Sequence, residues 1–126
     1  CDSGCASRGL LQLLGALQST HPERAPLAGL LRNMENNQHL AVGDGLWATL
    51  TKIAGQPMMA IDGDQAWLLV DIERNGVAGV LGLRARFSGD RIVEIEAQIS
   101  ATAAGLSPDR WPSLPYGSLP AWTATR

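Results

Sequence analysis

Three polar residues that lie close together, Glu35, Asn36 and His39, are the candidates for chemistry in this chain. A carboxylate and an imidazole can each give or take a proton, and a carboxyl removed from water holds its proton more tightly. In an apolar setting Glu35 could therefore move a proton next to a carbonyl group, with His39 assisting as acid or base. A solvated turn is the commoner place for a Glu directly before two asparagines, Asn36 and Asn37, and for a His such as His39. Both interpretations stay open at this point.

Other patterns that carry chemistry are missing from the sequence. It has no glycine-rich phosphate loop, no His and Cys cluster spaced for a metal ion, and no supporting Ser-His-Asp set. The net charge of −2 argues against a nucleic-acid surface, which needs clustered Lys and Arg. No apolar run approaches the length of a membrane span. We therefore expect no cofactor, no metal, no nucleic-acid partner and no membrane span.

The size and composition fit one globular domain with a tail. A length of 126 residues, with 45% hydrophobic and 17% charged residues, is enough for one substantial core. Near Leu106 the composition changes to repeated prolines with large aromatic residues, so we expect a domain at 1–105 and a tail at 106–126. The aromatic anchors Trp111, Tyr116 and Trp122 favour a tail that lies along the domain or a partner subunit.

The first five residues, Cys1-Asp2-Ser3-Gly4-Cys5, have no initiator methionine and are typical of a processed or trimmed chain. The two cysteines could form a disulfide in an oxidising compartment, or they could stay as free thiols. Cys1 could instead carry a lipid. We expect an extracytoplasmic or secreted protein.

The elements that must position these candidates begin with a helix. Leucines at helical spacing predict a helix over 5–19, which the pair His21-Pro22 ends. A short segment at 27–31, a short strand at 30–36 and a polar turn follow. A second helix is predicted over 46–53, with Asp44 near its amino end.

Two turn signals then predict an antiparallel meander over 66–99. Asn75-Gly76 is the commonest pair in a two-residue hairpin turn, and it sets Arg74 opposite Val77. Ser88-Gly89-Asp90 predicts a three-residue loop with a bulge, which sets Phe87 beside Arg91 and Ala85 beside Val93.

This register gives the sheet one apolar face, so that no ionisable group points to the interior. The apolar face consists of Ala66, Leu68, Val70, Ile72, Leu81, Leu83, Ala85, Phe87, Val93, Ile95, Ala97 and Ile99. The opposite face carries Trp67 across from Arg84, a candidate cation–π pair, and places Arg84 and Arg86 beside Glu94 and Glu96. Its mixed aromatic and charged character favours a homodimer interface, the alternative being a solvated face with weak ion pairs.

With helices before a curved antiparallel sheet, the sequence predicts an α+β fold. It resembles the SnoaL-like branch of the nuclear transport factor 2-like superfamily over Cys1 to about Ala101, and more narrowly a group of often secreted proteins that open with a Cys-Asp pair. The segments that carry the resemblance are Leu31-Arg32-Asn33-Met34-Glu35-Asn36-Asn37-Gln38, Gly43-Asp44-Gly45-Leu46-Trp47, and Gly89-Asp90-Arg91-Ile92-Val93-Glu94-Ile95-Glu96.

The resemblance implies a cone-shaped curved sheet covered by amino-terminal helices, a cystatin-like arrangement, with a carboxylate base after the first strand. Glu35 lies nearest that place. The superfamily holds isomerases, polyketide cyclases, dehydratases and epoxide hydrolases as well as non-enzymatic binding modules, so the fold alone assigns no activity. The isomerase pattern also needs a Tyr on the first helix and an acid on the inner face of the sheet, whereas the first helix has no Tyr and the predicted inner face is apolar. The epoxide-hydrolase pattern would need Asp71, Arg84 and Arg86 inside the cone, whereas the predicted register places them outside.

Three hypotheses about function follow. The first is binding of an apolar small molecule by a set of eight residues: Met34, Asn36, Trp47, Met58, Leu68, Val70, Leu83 and Phe87. The second is a cofactor-independent isomerase, cyclase or dehydratase in which Glu35 is the proton-transfer base. The third is a cone filled by its own side chains, in a protein that acts through its dimer or its tail.

Overall fold

The structure is a computed structural model and describes residues 1–101, so the predicted tail at 106–126 lies outside the described residues. Within that range the elements are α1 (Ser3–Ser19), a 3₁₀ turn (Pro22–Arg24), β1 (Leu27–Glu35), β2 (Gln38–His39), α2 (Leu46–Thr49), β3 (Leu50–Ile53), β4 (Met58–Asp62), β5 (Gln65–Arg74), β6 (Val77–Ser88) and β7 (Arg91–Ala101).

These strands form one curved sheet that is not closed into a barrel. The strand order is β2-β1-β7-β6-β5-β3, and β4 pairs with β5 beside β3. All pairs are antiparallel except β1 with β7, which run parallel. The predicted α+β class is confirmed, with the correction that the sheet is mixed and that one long helix covers it.

The first hairpin has the predicted register. Asn75 and Gly76 both have positive φ, at 50° and 83°, and Arg74 lies opposite Val77. Because side chains alternate along a strand, this single turn fixes which residues of β5 and β6 point inward. Leu68, Val70, Leu81 and Leu83 are at most 1% exposed.

The second hairpin differs from its prediction. Ser88 pairs with Arg91 and Phe87 with Ile92, so the turn is shorter than the predicted three-residue loop. The extra residue is Val93 in β7: Arg86 pairs with Glu94 and Phe87 pairs with Ile92, so Val93 has no partner opposite it. Ile92 is therefore fully buried while Val93 is half-buried. The predicted pairings of Phe87 with Arg91 and of Ala85 with Val93 are wrong.

Helix α1 supplies the cover for the inner face of the sheet. Asp2 caps it, since the Asp2 carboxylate accepts a hydrogen bond from the Cys5 N–H at 2.8 Å, and a disulfide joins Cys1 to Cys5 beside this cap. Gly9 lets the helix approach the sheet, because a Cβ there would lie 2.6 Å from the Phe87 ring. No helix in residues 1–101 is both long and apolar enough to cross a membrane.

The second predicted helix is much shorter than expected. It ends at Thr49, and the backbone continues as the edge strand β3, in which Leu50 pairs with Arg74. Leu46, Trp47 and Leu50 have helical spacing, but pairing with the exposed edge of β5 decides the conformation after Thr49. Similarly, 27–35 forms one strand, β1, where a separate segment and a shorter strand were predicted.

Candidate functional site

A small cavity lies where the end of β1 meets α2. Its volume is about 10 Å³, which is at the lower limit for one water molecule. The lining is mostly apolar and consists of Leu17, Asn33, Met34, Glu35, Leu46, Trp47, Leu83, Ile95 and Ala97. As it stands in the structure, this cavity therefore has room for one water molecule at most.

Glu35 borders this cavity with its carboxylate already engaged. Its side chain is 14% exposed, so it is neither a solvated turn residue nor fully desolvated. Oε2 accepts a hydrogen bond from the backbone N–H of Leu46 at 2.6 Å, and Oε1 lies 3.7 Å from Nη1 of Arg74. Glu35 thus fastens the first turn of α2 to the end of β1.

Asn33 is a second polar residue at the cavity, which the sequence analysis did not single out. It is 8% exposed and is the one polar residue in the buried set of residues 1–101. Its Nδ2 donates to the Leu40 carbonyl at 3.1 Å, and its own carbonyl accepts from the Leu40 N–H at 3.0 Å. Residues two apart on a strand share a face, so the spacing of Asn33 and Glu35 was the available signal.

The α2 segment is hydrogen-bonded to the rest of the fold at both of its ends. Apart from the bond to Glu35, the Thr49 carbonyl accepts from the Asn75 N–H at 3.2 Å. Gly45, before the helix, has φ 60° and ψ −121° and packs directly against the Glu35 carboxylate. The helix itself has only four residues, of which Leu46 and Trp47 are buried.

The predicted site residues fall into different places. Met34, Trp47 and Leu83 line the cavity together with Glu35. Leu68, Val70 and Phe87 belong to the closed hydrophobic core and do not line it.

The remaining three predicted residues lie away from the cavity lining. Asn36 connects its turn to β7, since its Oδ1 accepts from the Ile99 N–H at 2.8 Å. His39 is exposed on β2. Met58 pairs with Leu69, which points outward, and it is 46% exposed, so it belongs to the outer face and not to the cone.

The described interior offers few groups for catalysis. Buried positions of β5 and β6 are apolar or glycine, and Asp71, Arg84 and Arg86 are half-buried on the outer face, as the predicted register has it. Residues 1–101 hold no group of three or more His, Cys, Asp or Glu placed to bind a metal ion. The polar groups that line the cavity are the Glu35 carboxylate and the Asn33 amide, and the other lining residues are apolar.

On the outer face the charged residues bind one another. Arg84 and Arg86 donate to the two carboxylate oxygens of Glu94 at 3.0 and 2.8 Å, and Arg84 also donates to Gln65. The hydrogen bond from Arg86, followed by that from Arg84, lowers the pKa of Glu94 to about 2. Trp67 lies opposite Arg84 in the register, as predicted.

This arrangement predicts a loss of stability in acid. The folded-state pKa of Glu94 lies below its ordinary value, so its stabilising effect is complete above about pH 5 and is lost as the pH falls towards 2. Because Arg86 is partly exposed, we expect a contribution of only about 1 kcal/mol. Between pH 5 and pH 2, the melting temperature of Glu94→Gln should fall less than that of the wild type. An equal fall in melting temperature for the wild type and for Glu94→Gln would contradict a stabilising role of the Glu94 carboxylate.

The comparisons with known proteins point to one fold. No family model and no curated protein matches the sequence. An NTF2-like protein of unknown function from Cytophaga hutchinsonii has a TM-score of 0.61 at 14% identity, over 75% of this chain and 89% of that one.

Two further similar structures have enzyme names. A candidate ketosteroid isomerase from Kribbella flavida has a TM-score of 0.62 at 13% identity, covering 90% of each chain. A candidate polyketide cyclase from Streptomyces antibioticus, IdmH, has a TM-score of 0.58 at 15% identity, over 75% of this chain and 91% of that one. At such identities the likeness establishes the fold and leaves the reaction open.

Proposed function

We propose that this chain, which has the nuclear transport factor 2-like fold, binds a small apolar molecule that carries one hydrogen-bond donor. The observation that supports the proposal is the placement of Glu35, a 14%-exposed carboxylate at the wall of an apolar cavity. An ionised carboxylate only accepts hydrogen bonds, so it selects a ligand with an O–H or N–H group.

The ligand must make its own space. A cavity of about 10 Å³ is far below the several hundred Å³ of an ordinary ligand pocket. The space can come from Leu46 and Trp47, which line the cavity and stand on a helix of only four residues. The hydrogen bond from the Leu46 N–H to Glu35 is the contact that has to break. In this proposal the ligand's donor replaces the Leu46 N–H at Oε2, and its apolar body takes the room that the two side chains leave.

Catalysis by Glu35 has less support than binding. Oε2 is already bonded to Leu46, and the buried set of residues 1–101 contains no Tyr and no acid. A base without a partner to stabilise the developing oxyanion lacks what is usually the largest part of such catalysis. The names of the isomerase and cyclase candidates belong to those proteins, and we keep proton transfer as the alternative.

A matched pair of probes tests the proposal. The compounds p-cresol and toluene differ by one hydroxyl group, so the ratio of their dissociation constants measures how much a hydrogen-bond donor contributes to binding. A hydrogen bond to a charged group contributes about 1.5 kcal/mol or more, and we therefore expect p-cresol to bind roughly tenfold more tightly than toluene. Glu35→Gln should reduce this preference.

The control for that experiment is Glu73→Gln. Glu73 is also a half-buried carboxylate, but its ion-pair partner is Lys52 and it does not line the cavity. This variant should keep the preference for p-cresol. Equal affinity of the wild type for both probes, or saturable binding of neither, would contradict the proposal and would favour a cone closed by its own side chains.

A further inference from the structure

Asn33 lines the same cavity as Glu35, and the protein uses its side-chain amide only in part. Asn33 is 8% exposed, and within residues 1–101 its side chain makes one hydrogen bond, from Nδ2 to the Leu40 carbonyl at 3.1 Å. The amide oxygen, Oδ1, therefore accepts no hydrogen bond from the described residues. Since residues 1–101 hold no fully buried side-chain N or O that lacks a partner, Oδ1 remains within reach of a bound molecule.

The backbone of Leu40 determines which end of the Asn33 amide is free. A carbonyl oxygen only accepts hydrogen bonds, so the amide nitrogen must be the end that faces the Leu40 carbonyl. Leu40 also fixes β1 at this point, because its N–H donates to the Asn33 carbonyl at 3.0 Å. The side chain is therefore held in one orientation, and the group that it leaves available is an acceptor.

Asn33 and Glu35 both lie on the inner face of β1. Asn33 pairs with Ile95 and Glu35 pairs with Ala97, and these two partners are at most 3% exposed and also line the cavity. Positions two apart on a strand share a face and are separated by about 7 Å along it. The cavity wall therefore carries two distinct acceptors, the Asn33 amide oxygen and the Glu35 carboxylate, among apolar side chains.

We propose that Asn33 is a specificity-determining residue of this site, because its Oδ1 accepts a second hydrogen bond from the ligand. The inference rests on the proposed binding function and narrows the ligand class to apolar molecules with two O–H or N–H groups on atoms that are not adjacent. A few placed polar groups in an apolar pocket fix the orientation of a ligand. A second hydroxyl group without such an acceptor would weaken binding, because it would lose its hydrogen bonds to water.

The compounds m-cresol and orcinol test the second donor, because orcinol carries one more hydroxyl group, meta to the first. A hydrogen bond between neutral groups makes a modest net contribution, so we expect orcinol to bind the wild type roughly fivefold more tightly than m-cresol. Asn33→Leu keeps a side chain of similar size and removes the acceptor. In this variant orcinol should bind no more tightly than m-cresol. Wild-type protein that binds orcinol no more tightly than m-cresol would overturn the proposal.

The pair p-cresol and toluene, measured on the same proteins, separates this inference from the proposed function. Asn33→Leu retains Glu35 and should still prefer p-cresol to toluene. A wild type that prefers p-cresol to toluene but not orcinol to m-cresol would overturn the role of Asn33 alone, whereas no preference in either pair would overturn both proposals. The control is Gln65→Leu, which removes a half-buried amide bonded to Arg84 on the outer face and should keep both preferences.

A measurement on the wild type keeps the proposal testable if Asn33→Leu fails to fold, since that variant also loses the hydrogen bond to Leu40. The NMR signals of the Asn33 side-chain amide should move during a titration with orcinol, because a hydrogen bond to Oδ1 polarises the whole amide group. At the same fraction of bound protein, m-cresol should move these signals less. Equal movement with both probes, or no movement with orcinol bound, would overturn the proposal.

Discussion

Replacing Gly45 by alanine is expected to destabilise the protein by about 3 kcal/mol or more, a large part of the 5–15 kcal/mol typical of a domain. The residue has φ 60° and ψ −121°, a conformation that costs a residue with a Cβ about 1–3 kcal/mol. The new Cβ would also collide with the Glu35 carboxylate and lie 2.7 Å from a Leu40 methyl group. To avoid the collision, the Glu35 side chain has to move away from Leu46. The half-buried carboxylate then loses its hydrogen bond from the Leu46 N–H.

Two other glycines serve as controls for the conformation and for the collision. Gly43 also has positive φ, at 107°, but a Cβ there meets nothing within 4 Å. Gly55 meets nothing and has no positive φ. Urea midpoints should therefore fall most for Gly45→Ala, less for Gly43→Ala and least for Gly55→Ala. If the urea midpoint of Gly45→Ala falls no further than that of Gly43→Ala, then the contact between Gly45 and Glu35 does not constrain the fold.

Trp47→Ala should have the second large effect, a loss of about 3–5 kcal/mol, as is typical when a buried aromatic residue becomes alanine. Trp47 is 2% exposed and lies at the wall of the Glu35 cavity. The substitution opens a space of indole size at the place where we propose that the ligand binds. Added indole should then raise the melting temperature of the variant, since a ligand stabilises the state that binds it.

Trp67→Ala is the control for the indole experiment. Trp67 is half-buried on the outer face, so its removal opens no interior space. We expect a smaller loss of stability for this variant and no recovery with indole. If indole raises the melting temperature of both variants equally, it acts without entering the space left by Trp47.

The sequence predicts the central meander because a single turn fixes it. Once Asn75-Gly76 sets Arg74 opposite Val77, the alternation of side chains determines both faces of β5 and β6. Counting alternate positions from a turn could also have placed Met58 correctly, on the outer face. The turn at Gly63-Asp64 sets Asp62 opposite Gln65, and Met58 then faces Leu69 on the outer surface.

Other features depend on contacts that no local pattern contains. The bulge at Val93 lies inside β7, away from the turn that was expected to hold it. The strand conformation of Leu50 arises from pairing with the edge of β5, which overrides its helical spacing. Glu35 was identified as a candidate, but its partners Leu46 and Arg74 come from distant elements, so their contacts require the tertiary structure.

The most direct test of the proposed site is the amide resonance of Leu46 during a titration with p-cresol. If the hydroxyl group takes the place of the Leu46 N–H at Glu35 Oε2, this amide should show one of the largest chemical-shift changes in the chain. Toluene at the same concentration should move it less, and in Glu35→Gln the difference between the probes should shrink. A Leu46 amide that stays fixed while p-cresol binds elsewhere, for example near Leu69 and Gly82, would contradict the proposed site.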